Sequence, residues 1–312
     1  MTSSVINLSI SSIASLIGLD AYNNFPRIVC GLWSKFNPDD FKTISDKLKK
    51  ENHHLATANE FNDLWEADEA AGTNILQKVK DINSNKDKTS NDMVKKQEEI
   101  IKYINEQSNL TSIQKQDLSK NVCSITNKTH GITNEDSVLN EFCRLSEKTI
   151  INTNTWVKSI TITNANTNTN TNTNTDAQNN IIWKIVGKYD GITSDNELVE
   201  AKMRQKCLFK KVRDYENIQV QLYLHALQFE NAYLVESYTN KKNEMNIYVN
   251  EIKYDSDYVN NFILDRLIKF TTFFEMLIEN DEYKEKLLKG DKDRYIFKIF
   301  EKEYLGIEDI NF

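Results

Sequence analysis

The sequence predicts an α/β protein with a mixed central sheet flanked by helices and a helical region ahead of it. Three observations carry this. Up to about residue 150, apolar residues recur at helical spacing. From there to Ile252, short runs rich in Val, Ile and Thr, bounded by polar turns, enclose a single helical stretch. From Asp257 to about Leu305 the spacing is helical again. Only two prolines and eight glycines occur in 312 residues, so long helices are expected.

The elements follow from local signals. Ser11 or Ser12 can cap a short apolar helix, Ile13 to Gly18, which the glycine stops. Asn37-Pro38 reads as a capping residue followed by proline at the first helical position. Thr57 with Glu60 and Thr111 with Gln114 have capping-box spacing. Met93, Gln97, Ile100, Ile101 and Ile104 make a mostly apolar stripe, after a polar stretch, Asn83 to Asn91, read as a loop. A further helix is expected to begin near Thr133, with Val138, Leu139, Phe142 and Leu145 on its apolar face.

Thr155 to Thr163, Ile181 to Tyr189 and Leu198 to Met203 read as strands, with a turn from Asp190-Gly191 to Asn196. Tyr215 to Phe229 has helical spacing. Two more strands, Ala232 to Tyr238 and Asn246 to Ile252, flank a turn at Asn240 to Asn243. Between the first two strands lies a Thr-Asn repeat, Asn166 to Thr175. It cannot bury a face, so residues 164–176 are expected to be a disordered loop expansion. The expected organisation is a helical region over residues 1–130 packing on a core over 131–312.

Composition excludes some functions. The net charge of −7 argues against a broad nucleic-acid-coating surface but leaves room for a local basic track. Cys30, Cys123, Cys143 and Cys207 form no CxxC pair, so neither a zinc site nor an iron–sulfur cluster is expected. Reduced, mostly buried thiols fit an intracellular compartment. No apolar run approaches the roughly 18–20 residues of a membrane span, and the N-terminus lacks a basic leader region. His53, His54, His130 and His225 show no metal-ligand spacing.

The chemistry concentrates in Gly187-Lys188-Tyr189-Asp190-Gly191 and Glu200-Ala201-Lys202. On a strand Glu200 and Lys202 share a face, and a hairpin can bring Asp190 beside Glu200. Converging carboxylates repel each other, and a divalent cation relieves that; hard oxygen donors suit magnesium or manganese. Lys202 could then hold or help deprotonate an attacking water, or stabilise charge on phosphate. An exposed Glu–Lys pair on a sheet face is the plain alternative. Lys202, Arg204, Lys206, Lys210, Lys211 and Arg213 place six cations in twelve positions without an acid. Such a run is a solvated face or a phosphate track.

Asp190, Glu200-Ala201-Lys202 and Gln219-Val220-Gln221 resemble the core motifs of the PD-(D/E)XK nucleases, a restriction-endonuclease-like fold. The likeness is to the YqaJ and lambda-exonuclease group of recombination nucleases, including copies carried by large DNA viruses. Ser11 to Leu19 matches the group's serine-led helix, and Gly131 to Glu135 its helical Gly-x(3)-Glu, all in the family's order. The motifs span about residues 8 to 225, with 20–130 unmatched in detail.

The resemblance implies a metal-dependent deoxyribonuclease acting on linear duplex DNA or its ends, with a single-strand annealing protein as a further partner and no membrane. It adds Glu135 and the Ala201 carbonyl to the metal ligands, and gives Gln219 the task of orienting the lysine or the scissile phosphate. It also brings Ser12 towards DNA. Tyr215, one turn before Gln219 and on its face, can contact DNA or simply pack, packing being somewhat favoured. Glu135 is read in the first turn of its helix, where the dipole alone would favour it; Glu141 and Glu147 compete for its role. Gln221 lies about 200° round from Gln219 and is not expected to face the site, and His225 reads as structural. The group's arginine ahead of the serine-led helix is missing; Val5 and Ile6 stand there. Arg27 is the substitute for binding a 5′-phosphate. The abundance of Asn, Lys and Ile suggests an AT-rich genome. Three readings remain beside an exonuclease: a structure-specific or RNA-directed endonuclease, a non-catalytic DNA-binding protein, and a helical interaction protein with a chance motif. Oligomeric state is not fixed by the sequence.

Overall fold

The computed structural model describes residues 4–19, 25–51, 55, 68, 72–83, 90–162, 181–240, 242, 244–291 and 294–307. The chain opens with a strand the helical pattern does not announce. Strand β1 (Ser4–Ser9) runs parallel to β4 (Ile181–Val186), Ser4 opposite Ile181 and Ser9 opposite Val186. Alternation along β1 buries Ile6 and Leu8. With the short β3 (Ile160–Ile162) these strands form a three-stranded sheet, order β1-β4-β3. The N-terminal segment thus contributes a strand as well as helices.

A five-stranded sheet carries the motifs. Its order is β2 (Ile150–Trp156), β5 (Lys188–Thr193), β6 (Leu198–Arg204), β7 (Asn231–Thr239) and β8 (Met245–Lys253). Only β6 and β7 are parallel; the other neighbours are antiparallel. Two of the expected strands divide between the sheets. The run expected at Thr155 to Thr163 breaks after Trp156, where β2 ends, and resumes at Ile160 in β3. The run Ile181 to Tyr189 breaks at Gly187, where β4 hands over to β5. A Cβ at Gly187 would stand 2.7 Å from Ile10 Cδ1 and 2.8 Å from a Tyr223 ring carbon, so this crossing admits no larger side chain unless a neighbour shifts.

Helix α1 (Ile13–Leu16) follows a 3-10 turn, Ile10–Ser12. No serine side chain caps it; Ser12 donates instead to the Ser9 carbonyl at 2.8 Å. Gly18 ends the segment at φ +87°, a left-handed conformation. Helix α2 (Phe25–Phe36) and helix α3 (Pro38–Lys50) follow, the latter capped by Asn37, whose side chain accepts from the Asp40 amide at 3.2 Å. The Thr57–Glu60 pair lies outside the described residues, as does the Thr-Asn repeat.

Helices α4 (Ile75–Asn83) and α5 (Ser90–Glu106) pack with α6 (Ser112–Ser146) around Val79, Met93, Ile100, Ile104, Val122 and Ile125. The polar stretch between α4 and α5 is shorter than expected: Asn83 ends one helix and Ser90 and Asn91 begin the next, with 84–89 outside the described residues. Thr111 and Gln114 complete the capping box of α6. That helix runs 35 residues without a break. No helix starts near Thr133, and the boundary expected between 130 and 131 falls in mid-helix. The far end of α6 lays Val138, Leu139 and Phe142 on Val199 and Val235 of the large sheet, while Leu145 is exposed.

The opposite side of the sheet receives α7 (Asp214–Leu227), through Ile218, Leu222 and Leu224. The C-terminal helices α8 (Asp265–Ile278), α9 (Asp281–Leu288) and α10 (Tyr295–Ile299) close the main core. Phe25, Phe270, Phe273, Phe297 and Phe300 meet there. Removing one such ring costs about 3–5 kcal/mol. All four cysteines are free; Cys30 is buried, which pushes its thiol up to about 12, and Cys207 is exposed. Among the described residues no helix is long and apolar enough to cross a membrane.

Candidate active site

The site forms where the sheet splits. The β5–β6 ladder pairs Gly191 with Val199 and Ile192 with Leu198, and goes no further. Asp190, the next residue on β5, bridges the gap with its side chain: Oδ2 accepts the Ala201 amide at 2.8 Å. Asp190 is therefore inside a strand and not in the expected turn; the turn lies at Ser194–Asn196. On a strand a residue's N–H and C=O face the same neighbour, so the Ala201 carbonyl faces the same opening.

Strand alternation puts Glu200 and Lys202 together and turns the Ala201 side chain to the other layer, against the α6 cluster. Lys202 Nζ lies 2.8 Å from Glu200 Oε1. Gln219 of α7 closes the triangle: its Nε2 donates to Glu200 Oε1 at 2.6 Å, and its Oε1 accepts from Lys202 Nζ at 3.2 Å. Gln221 faces away, donating to the Lys253 carbonyl and accepting from the Asp255 amide. His225 meets the Tyr254 hydroxyl at 2.7 Å.

Glu135 enters from α6, with its carboxyl in hydrogen-bonding reach of Asp190. It sits deep within a long helix, so the helix-start account of this residue falls. Glu141 is paired with Arg144 at 2.6 Å, and Glu147 is the left-handed residue that ends the helix.

The electrostatics follow from burial. Glu200 is 2% exposed, and burial, with Asp190 beside it, pushes its carboxyl up to about 8. Burial also raises Asp190, to about 7, with Glu135 adding to the rise and Lys202 opposing it. Glu135 is raised for the same first reason. Burial pulls the Lys202 ammonium down, but Glu200 and Asp190 outweigh it and hold the group above its ordinary value.

Two carboxylate oxygens here, Glu135 Oε1 and Glu200 Oε2, are buried without a hydrogen-bond partner. Among the described residues, no three His, Cys, Asp or Glu side chains are gathered so as to enclose an ion as they stand. The donor chemistry nevertheless fits a hard divalent cation: three carboxyls short of positive charge, two bare oxygens and a strand carbonyl.

The basic run divides. Arg204 is buried: Nη1 lies 2.7 Å from Glu216 Oε1 and Nε 3.2 Å from Glu236 Oε2. Expected as a DNA contact, it is instead an internal ion pair, its guanidinium stacked on Phe209. Arg213 stacks on the same ring. Lys206, Lys210 and Lys211 are exposed, and Tyr215 packs half-buried on the core. Arg27 bonds Asn121 at 3.1 Å. Asn121 precedes Glu135 by fourteen residues on α6, about 21 Å along the helix axis, so Arg27 does not reach the carboxylates.

Sequence reading missed Tyr223. It lies one turn after Gln219, is almost wholly buried, and donates to the Lys188 carbonyl at 2.7 Å. Its hydroxyl also lies within reach of Gln219, with Glu200, Asp190 and Lys202 around it. The four-residue spacing from Gln219 was the available signal. Glu216 and Glu236 had none, because their role depends on the pairing of β6 with β7 and α7.

No family model matches the chain, and no curated protein matches it. Solved structures with some likeness include an alkaline exonuclease, LHK-Exo, from Laribacter hongkongensis, 12% identical over 55% of this chain and 84% of that one, with a TM-score of 0.35. Another is the protein SSO0001, 14% identical over 50% of this chain and 64% of that one, with a TM-score of 0.32. Likeness this distant leaves the site to stand on its own geometry.

Proposed function

We propose that the chain is a metal-dependent deoxyribonuclease with a PD-(D/E)XK-type core, hydrolysing phosphodiester bonds near the ends of linear DNA. One observation carries the reading: an acidic pair, Asp190 and Glu200, at a split in the sheet, with Lys202 fixed beside them by Gln219. Asp190, Glu200, Glu135 and the Ala201 carbonyl would hold magnesium or manganese. Such an ion supplies charge neutralisation at the phosphate and lowers the pKa of a water.

The rest is work for the chain's own groups. Gln219 fixes Lys202 through two hydrogen bonds, one direct and one through Glu200. The ammonium, kept charged by its acidic neighbours while no metal is bound, is placed to act on the attacking water or the phosphate. Tyr223 buttresses Gln219 from the next turn. Lys206, Lys210 and Lys211 offer exposed cations for the DNA backbone. Ser12 sits at the start of α1, where its hydroxyl donates to the Ser9 carbonyl.

The test is incubation with end-labelled linear DNA and covalently closed circles, with magnesium, with manganese and with chelator. Metal-dependent loss of label from linear DNA supports the reading. Cutting of closed circles at the same rate would make the enzyme an endonuclease. No cleavage of either with metal present would overturn the assignment.

A further inference from the structure

We propose that Trp156 and Lys188 form a platform that holds an unpaired nucleobase of the DNA strand beside the Glu200–Lys202 site. The inference rests on the nuclease reading above and adds what that reading leaves out, a surface for the bases.

Trp156 is the odd tryptophan among those described. Trp33 and Trp183 are buried, their indole N–H groups donating to Asp40 at 2.8 Å and Glu275 at 3.3 Å. Trp65 lies outside the described residues. Trp156 is 66% exposed, at the end of the edge strand β2, and among the described residues no ring or cation stacks on it.

Its position is set by register. Trp156 pairs with Lys188 on β5, so the two side chains share a face, and alternation puts Asp190 on that face as well. Diagonal neighbours across a strand pair lie about 7–8 Å apart, within reach of an aromatic side chain. Lys188 is exposed, with no ion pair among the described residues. Its backbone is fixed by the Tyr223 hydroxyl at 2.7 Å.

The chemistry of this corner selects the occupant. The carboxylates repel a phosphate chain except where cations stand, and Lys202 and Lys188 are two such cations on this face. A strand crossing from one to the other brings its base over the indole. Stacking on an aromatic face tolerates any base, but it needs a base free of its partner. Duplex ends fray and single strands are already open, so the platform favours those over continuous duplex.

The test uses the full chain in chelator, where DNA binds without being cut. A single-stranded oligonucleotide should quench tryptophan fluorescence in the wild-type protein, and the quench should be largely lost in Trp156→Phe. Trp156→Ala should weaken single-strand affinity about tenfold and blunt-duplex affinity much less. Both variants alter an exposed side chain, and unchanged circular dichroism shows that they fold. Equal affinity in wild type and Trp156→Ala, with metal-dependent cleavage intact, overturns the platform and leaves the nuclease reading standing. Quenching lost in Trp156→Phe supports the platform even where no cleavage is found. Quenching that depends on protein concentration without DNA, and disappears in Trp156→Ala, would mark β2 as a contact between copies and overturn the inference.

Discussion

Gln219 accepts from Lys202 Nζ at 3.2 Å with one end of its amide and donates to Glu200 Oε1 at 2.6 Å with the other. The amide therefore fixes the lysine relative to the carboxylate. Hydrogen bonds to charged groups contribute about 1.5–3 kcal/mol each. Gln219→Leu keeps much of the volume and removes both. Its kcat should fall about ten- to a hundredfold, with little change in KM, in steady-state cleavage of linear DNA. Equal kcat in the variant would remove Gln219 from the site.

Lys202→Met should abolish cleavage and leave the fold intact. The ammonium is the cation nearest Glu200, at 2.8 Å, and the long methionine side chain fills its path. Glu200 is buried, so Glu200→Gln is the proper partner variant: it keeps the shape that alanine would vacate. Turnover by either variant near the wild-type rate, in the same end-labelled assay, would sink the assignment.

Stability of the metal-free protein should fall as pH rises from about 5 to about 8. Asp190 and Glu200 have folded-state values of about 7 and about 8, above those of an unfolded chain. Between the two ranges the folded state binds more protons than the unfolded one, so the slope of unfolding free energy with pH is negative. Thermal melts in chelator should show the decline, and Asp190→Asn with Glu200→Gln should flatten it. Magnesium should raise Tm more at pH 8 than at pH 5, because protonated carboxyls bind it poorly. A Tm that rises over this range in chelator, with no flattening in the double variant, would contradict the buried-acid account.

Arg204 and the lysines that follow it should part company under mutation. Arg204→Met leaves Glu216 and Glu236 buried without their cation, a loss of about 3–5 kcal/mol that urea denaturation would read. Lys210→Ala and Lys211→Ala should leave stability unchanged and lower the salt dependence of DNA binding, each reducing the slope by about one. A stable Arg204→Met protein with a reduced salt slope would return Arg204 to the DNA.

These contrasts mark what the sequence could show. Asp190, Glu200 and Lys202 were legible because strand alternation is a local periodicity; Gln219 came from the resemblance, and the structure brings all four together. The caps at Asn37 and Thr111 were legible because their signals are local too. Strand β1 was not, because Ser4 to Ser9 becomes a strand only by pairing with β4 more than 170 residues later. The break at Gly187 was invisible because what forbids a side chain there comes from Ile10 and Tyr223. Arg204 looked like its exposed neighbours because a charge run does not reveal which members face inward. Glu135 was found, but from a motif; its helix begins at Ser112, and Gly131 does not interrupt it.

The unbroken helix α6 decides how this protein can be cut. Its early turns, with Val122 and Ile125, belong to one apolar cluster, and Val138 and Phe142 belong to another. A fragment begun at residue 131 would start in mid-helix, leaving four backbone N–H groups without their carbonyls. Glu135 would then lie at the fraying end of a truncated rod. The same fragment would lack β1, exposing the open edge of β4. The N-terminal part, through α6, is the splint that keeps the third carboxylate in line, so an expression trial of residues 131–312 alone should return aggregated material.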